Sequence, residues 1–258
     1  MTPGFLGGTL CVWRRDMESW RKYWKASLVG ALGEPILALV AIGYGLGRFV
    51  DIDPGGAGVG YAQFLAPGIL ASAAMNAASF EATFGSFTRM TEQKTYDAIL
   101  ATPIGIREIV AGDALWAATK ATLSGTAVLL VAVAAGLVRS PAACLLPAVA
   151  LVVGLVFATM GLVVASRAQA YDFFTYYFTL VIAVMYFFSG IFFPLASLPG
   201  WARAVAWCLP LTHAVALSRA CAAGTVGGAA LLHLGVLVFV LGTSYALAVR
   251  LVGRRLIV

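Results

Sequence analysis

Long apolar stretches are the feature that most constrains how this chain can fold. One of them, LLPAVALVVGLVFATMGLVVAS at 145–166, carries no charged side chain at all. Hydrophobic residues make up 61% of the 258 residues and charged residues only 11%, whereas globular domains carry about 25% charged residues. In hydrocarbon only helices and closed barrels satisfy the backbone polar groups, and barrel strands alternate in polarity over about ten residues. The sequence therefore predicts an all-α integral membrane protein.

Six stretches have the length of about 20 residues that a helix needs to cross a hydrocarbon core of about 30 Å. They are 26–47, 62–87, 110–137, 142–166, 173–193 and 228–250. No early segment has a short apolar core followed by a small-residue cleavage site, so the first span is expected to remain in the protein. The whole of 1–258 is expected to form a single transmembrane domain.

Lysine and arginine are distributed unevenly between the two sides of these six spans. With the N-terminus in the cytoplasm, the cytoplasmic side holds Arg14, Arg15, Arg21, Lys22, Lys25, Arg89, Lys94, Arg107, Arg167, Arg250, Arg254 and Arg255. The outer side holds Arg48, Arg139, Arg203 and Arg219. This positive-inside bias predicts a multi-pass protein of the inner (plasma) membrane with both termini cytoplasmic. The net charge of +6 accordingly reflects topology and anionic lipid, and we expect no nucleic-acid partner.

The N-terminal segment 9–25 has the pattern of an amphipathic helix. Trp13, Met17, Trp20 and Trp24 recur at helical spacing, while charged side chains occupy the opposite face. Such a helix lies in the membrane interface. It serves either as an anchor that orients the first span or as a contact for a cytoplasmic partner, and the pattern fits both.

The loop between the second and third spans carries another amphipathic segment. Thr91 is predicted to cap a short helix, and Pro103 disfavours helix at the residue before it, which leaves roughly three turns. Tyr96, Ile99 and Leu100 fall on one face. That face suits docking into a groove on another protein. An interfacial helix resting on lipid needs the same apolar stripe, so both interpretations stay open.

The outer segment 194–227 is too apolar for a solvated loop. It is also too broken by Pro199, Gly200 and Pro210 to form one span. We therefore predict a re-entrant pair of short helices that dips into the outer leaflet, with Trp201 and Trp207 at headgroup level.

Three charged residues fall deep inside predicted spans, away from the span ends, namely Glu34, Glu81 and Lys120. At 1.5 Å per residue, all three lie about 12–15 Å above the cytoplasmic edge. A charge left alone at that depth costs several kcal/mol, so a buried Glu–Lys cluster is expected. The cluster either holds the helices together or takes part in gating or proton coupling.

Motifs for catalysis are missing from the sequence. There is no GxxxxGK[ST] phosphate loop, so the chain is not expected to hydrolyse ATP itself. His213 and His233 are the only histidines, and no acidic residue follows Asp172 to orient them. An intramembrane histidine more often makes a helix-to-helix hydrogen bond. The four cysteines have no metal-binding spacing. Cys208 and Cys221 share the outer segment, where they are interpreted either as apolar fillers or as a pair that forms in an oxidising compartment.

Several stretches resemble a known family. They are GEPILAL at 33–39, FLAPGILASAAMNAASFEATF at 64–84, RMTEQKTYDAILATPI at 89–104, GDALWAATKA at 112–121, FFSGIFFPLASLP at 187–199 and LPLTHAV at 209–215. Through them the whole chain resembles the permeases of type-2 ABC exporters, and most closely the NodJ-type permeases of nodulation-factor (lipo-chitooligosaccharide) exporters.

This resemblance implies a permease subunit that works as a homodimer with two separate ATPase subunits, which bind the ATP and Mg²⁺. No cofactor is implied for this chain. The first cytoplasmic loop, 91–103, would act as the coupling helix on the ATPase, through Thr91, Lys94, Tyr96, Asp97, Ile99, Leu100 and Pro103. The implied substrate is an amphipathic glycan of the lipo-oligosaccharide type, moved outward across the inner membrane.

Aromatic side chains crowd the fifth span, among them Phe173, Tyr177, Tyr186 and Phe188. Their faces would suit sugar rings or an acyl chain along a substrate path, and aromatic belts at the two ends of a span explain the same clustering. Export of drugs or other amphipathic molecules is the alternative within the family. A secondary transporter driven by an ion gradient is a rival class, although the sequence has no internal repeat.

Overall fold

The computed structural model describes residues 4–45, 60–138 and 140–256. The predicted all-α class is confirmed, since these three ranges contain helices and no strand. The α-helices are, in chain order, α1 (Phe5–Trp20), α2 (Trp24–Ala38), α3 (Tyr61–Phe80), α4 (Ser86–Thr91), α5 (Thr95–Leu100), α6 (Ile106–Ala134), α7 (Leu146–Arg167), α8 (Phe173–Tyr177), α9 (Ala183–Phe188), α10 (Gly200–Cys208), α11 (Pro210–Ala223) and α12 (Gly228–Leu256).

Three of the predicted spans contain a π-helical turn and are not uninterrupted α-helices. One follows α2 at Leu39–Gly45, one joins α3 to α4 at Glu81–Gly85, and one joins α8 to α9 at Phe178–Ile182. Hydrophobic periodicity does not reveal such turns, because a π turn inserts one residue without changing the apolar character of the stretch. They occur frequently at functional sites, and the second begins at the intramembrane Glu81.

Three helices in the described ranges are long and apolar enough to cross a membrane: Ile106–Ala134, Pro141–Arg167 and Gly228–Leu256. The pair α10 and α11 meets the same test jointly, with a bend of 85° at the break between them. Such a pair is a broken span or a re-entrant loop, as expected for 194–227. The structure thus supports three to four spans, and the count of six stays a prediction.

The core of the molecule lies around α7. In the most apolar 18-residue stretch of Pro141–Arg167, which contains α7, 61% of the residues are buried, against 17% in the corresponding stretch of α12. Small residues allow the neighbouring helices to approach closely. A Cβ added at Gly154 of α7 would lie 2.7 Å from the Ala118 Cα of α6, so a larger side chain there would push the two helices apart.

The N-terminal helix packs against α6 and is not confined to the membrane interface. A Cβ at Gly112 of α6 would lie 2.5 Å from the Val12 Cβ, and the buried face of α1 includes Thr9, Val12 and Asp16. The predicted bounds 9–25 are wrong, because α1 ends at Trp20 and Trp24 begins α2. The prediction followed the large apolar side chains of the segment, whereas α1 approaches α6 closely at small residues such as Gly112.

The structure shows the surroundings of the two histidines and of the two cysteines in the outer segment. His213 and His233 make the expected helix-to-helix contact, with their Nδ1 atoms 2.9 Å apart between α11 and α12. Cys208 and Cys221 are both free thiols, the first exposed and the second buried. Trp201 is 70% exposed, and its headgroup level stays a prediction.

Candidate functional site

The helix in the loop between α4 and α6 is shorter than the three turns predicted for it. This helix, α5, covers only Thr95–Leu100 and is preceded by Lys94 in the left-handed conformation, with φ of 47°. Thr91 does not cap α5. It is the last residue of α4, and its hydroxyl donates to the Phe87 carbonyl at 2.7 Å. The predicted cap is wrong because threonine can bond back into the preceding turn as readily as it caps the next helix.

Tyr96 of α5 points into the protein. Its side chain is 1% exposed, and its hydroxyl donates to the carboxylate of Asp113 on α6. The predicted placement of Tyr96 on an exposed docking face is therefore wrong. Ile99 and Leu100 are partly buried against the core. An apolar stripe on a short helix has the same periodicity whether it faces its own core or a partner.

The exposed surface of the loop is polar and small. It is formed by Glu92, Gln93, Lys94, Asp97, Ala98, Ala101, Thr102, Pro103 and Gly105. Three of the predicted coupling residues thus remain available to a partner, namely Lys94, Asp97 and Pro103.

Arg89 lies at the centre of a buried charge cluster beneath α5. Its Nη1 is 2.9 Å from Glu81 Oε1 and 3.9 Å from Asp16 Oδ1, and its Nη2 is 3.2 Å from Asp113 Oδ2. Asp113 also accepts a hydrogen bond of 2.9 Å from Ser86. Sequence reasoning treated Arg89 only as a cytoplasmic cation. The available signal was its spacing of two helical turns from Glu81.

The second half of the cluster extends toward the membrane interior. Lys120 Nζ lies 2.8 Å from Glu81 Oε2, and Trp116 Nε1 donates to Glu81 Oε1 at 3.1 Å. The structure therefore brings together two of the three charges that were predicted inside the spans. The side chain of Glu34 lies outside the described residues.

The helix α1 closes the cluster from the side. Arg15 Nη2 lies 2.6 Å from Asp16 Oδ1 and 3.8 Å from Asp113 Oδ1. Beside them, the Trp20 ring meets the Trp116 ring edge-on, with centroids 5.9 Å apart.

The predicted interface tryptophans lie in different surroundings. Trp13 Nε1 donates to Thr119 Oγ1 of α6 at 3.0 Å. Met17 and Trp20 are partly buried, whereas Trp24 is exposed. The stripe is therefore not one continuous lipid-facing surface.

The charge cluster consists of three acidic and three basic residues: Arg15, Asp16, Glu81, Arg89, Asp113 and Lys120. The charges balance, which matters because an unpaired charge at such depth is costly. The cluster joins four helical elements, since its members and Tyr96 come from α1, the α3–α4 helix, α5 and α6. The cluster and Tyr96 therefore link α5 to α1, α4 and α6 through side-chain contacts.

Asp16 of the cluster and the neighbouring Tyr96 lie outside the predicted membrane-spanning segments. Burial, followed by the neighbouring Asp113 carboxylate, raises the pKa of Asp16 to about 7, against the lowering effect of Arg89 and Arg15. Burial and Asp113 also raise the pKa of Tyr96. The Tyr96 hydroxyl thus stays protonated at neutral pH and available as a donor.

Asp16 is expected to make stability depend on pH. Its pKa is about 7 in the folded chain, against the ordinary aspartate value of 3.8, so the folded state binds the extra proton between these pH values. Stability from this group is then complete below about pH 4 and falls as the pH rises to about 7. We expect the stability of Asp16→Asn relative to wild type to increase by about 2–3 kcal/mol from pH 5 to pH 8. Thermal denaturation in detergent at the two pH values is the measurement. An equal difference at both pH values would contradict this assignment.

The predicted substrate-path residues do not share one face. Phe173 is exposed, Tyr177 is buried, and Tyr186 and Phe188 are partly buried. The exposed large apolar side chains of this segment are Phe173, Tyr176, Leu180, Val184 and Phe187.

Comparison with known proteins places this architecture in a family. The sequence profile described as ABC-2 type transporter matches residues 9–222. The chain is 40% identical over 248 residues to "Nodulation protein J" of Rhizobium leguminosarum bv. viciae, covering 96% of this chain and 94% of the relative. It is 38% identical over 250 residues to the protein of the same name from Sinorhizobium fredii, with coverage of 96% and 94%. No solved structure shows significant similarity to the chain.

Proposed function

Because the chain belongs to the ABC-2 type transporter family, we propose that it is the permease subunit of an ATP-driven exporter whose ATPase is a separate chain. The observation that carries this proposal is the buried connection from α5 to the membrane helices. Tyr96 contacts Asp113, Asp113 contacts Arg89, and Arg89 contacts Glu81. A short helix with an exposed outer surface and a rigid inner attachment is suited to receive a movement from another protein.

In the proposed cycle, ATP binding and hydrolysis on the partner displace α5, and the charge cluster carries that displacement to α1, α4 and α6. Discrete rearrangement of packed elements is a common form of such switching. Buried atoms of the cluster support this, because Asp16 Oδ2, Asp113 Oδ1 and Arg15 Nη1 have no hydrogen-bond partner among the described residues. The cluster thus has unused hydrogen-bonding capacity for a second arrangement.

We further propose a homodimer of this chain bound to two ATPase subunits, which hold the ATP and Mg²⁺. The exposed apolar face of 173–188 supports it, since Leu180 is 65% exposed and Phe187 is 55% exposed. A symmetric pair would cover the same face on both copies. Six spans, cytoplasmic termini and an inner-membrane location complete this arrangement.

For the substrate we propose an amphipathic glycan of the lipo-oligosaccharide type, moved outward. Support comes from the relatives named "Nodulation protein J". Aromatic side chains on both the buried and exposed sides of 173–188 would suit a molecule with sugar rings and an acyl chain.

Charge reversal on the exposed face of α5 tests this function. Asp97→Arg should reduce co-purification with the ATPase subunit and ATP-dependent export by about tenfold, because it places a like or unmatched charge in the contact. Asp172→Arg is the matched control, since Asp172 is also exposed and lies in a different segment, the turn before α8. The mass of the purified complex should correspond to two permeases and two ATPases. A permease that purifies without any ATPase in the wild type would overturn the proposal.

A further inference from the structure

A groove of about 1030 Å³ lies where the first turns of α1 and α6 meet the last part of α12. Part of its wall is apolar, with Phe5 from α1 and Leu247 and Val249 from α12. Phe5 and Leu247 are 47% and 45% exposed, so the groove is open to its surroundings along this wall. The charge cluster lies on other residues and takes no part in it.

Two arginines provide the positive charge of the groove. Arg107 comes from the first turn of α6 and Arg250 from α12, and both are exposed. Neither guanidinium has a carboxylate within ion-pairing distance anywhere in the described ranges, although Glu108 also lines the groove. Glu108 sits in the first turn of α6, where the helix dipole favours a negative charge. With two arginines and one glutamate in its lining, the groove carries a net positive charge.

The position of the groove is held by a specific hydrogen bond. The Tyr245 hydroxyl of α12 donates to the Arg107 carbonyl at 3.0 Å, which ties the last third of α12 to the start of α6. Arg107 and Arg250 therefore line the groove from two different helices that this hydrogen bond joins.

We propose that this groove binds one anionic phospholipid. The two arginines take the phosphate, and an acyl chain lies along the apolar wall. A free phosphate ion would make no use of Phe5 and Leu247, and a neutral lipid would make no use of the two arginines. The inference rests on the cytoplasmic orientation proposed above, because basic pockets on that side of a membrane face a leaflet rich in anionic lipid.

Lipid binding to the purified full-length chain tests the inference without any transport assay. Phosphatidylglycerol, phosphatidylcholine and inorganic phosphate are each titrated into the detergent-solubilised protein, with retention measured by native mass spectrometry and protection by thermal denaturation. The double variant Arg107→Gln/Arg250→Gln should bind phosphatidylglycerol about 30-fold more weakly, or about fivefold per arginine. The control Arg21→Gln/Lys22→Gln removes two exposed cations outside the groove and should retain wild-type affinity.

Each outcome decides the question. A selective loss in the groove variant, with binding retained in Arg107→Lys/Arg250→Lys, supports the site. Equal losses in the groove variant and the control would show that net charge alone attracts the lipid, which overturns the inference. Equal binding of phosphatidylcholine, or equal protection by inorganic phosphate, would also overturn it, the first by removing the role of charge and the second by removing the role of lipid.

Discussion

Replacing Arg89 by methionine is expected to lower the stability of the chain by about 3–5 kcal/mol, because it leaves buried carboxylates without their partner. Arg89 contacts both Glu81 and Asp113, and the Asp113 side chain is fully buried. Thermal denaturation in detergent, together with the yield of folded protein from membranes, is the measurement.

A second substitution separates charge from packing at this site. Adding Asp113→Asn to Arg89→Met removes a stranded carboxylate and should restore part of the lost stability, whereas losses that simply add would show that the two residues do not interact. Arg14→Met is the matched control. Its pair with Glu18 is exposed, with side chains 74% and 55% accessible, so the change should cost less than about 1 kcal/mol.

Removing the hydroxyl of Tyr96 is expected to impair transport far more than assembly. Tyr96→Phe deletes the hydrogen bond to Asp113 and leaves the ring in place. A hydrogen bond to a charged group contributes about 1.5–3 kcal/mol, so export driven by the ATPase should fall at least about tenfold. Co-purification with the ATPase should stay near the wild-type level, because the Tyr96 side chain is buried inside the protein against Asp113.

Tyr171→Phe provides the control for this variant. The Tyr171 hydroxyl contacts Thr88 Oγ1 at 2.8 Å in an exposed position on the same side of the molecule, and it makes no contact with the charge cluster. Export should be unchanged in that variant. Should Tyr96→Phe export at the wild-type rate, the cluster would be a structural support and not the route by which α5 acts on the membrane helices.

The sequence predicted correctly what depends on composition and on local spacing. The apolar stretches indicated helices because, in lipid, a helix satisfies all of its backbone N–H and C=O groups within one segment. The break in the outer segment was predicted from Pro199, Gly200 and Pro210. The structure shows two short helices there, α10 and α11. The level of Glu81 and Lys120 in their helices could be counted along the chain, because rise per residue is constant.

Tertiary structure alone decided which side chains meet. Asp16, Arg89 and Asp113 are far apart in sequence, and each also reads as an ordinary charge near a helix end, so nothing local indicated that they share one buried cluster. Tyr96 belongs to an apolar stripe whose periodicity is the same against a partner or against its own core. No local sequence pattern predicts the π turn at Glu81–Gly85 either. Helix periodicity sets which residues share a face, but the direction of that face depends on the packing of α1, α5 and α6 against one another, and that packing is a property of the whole chain.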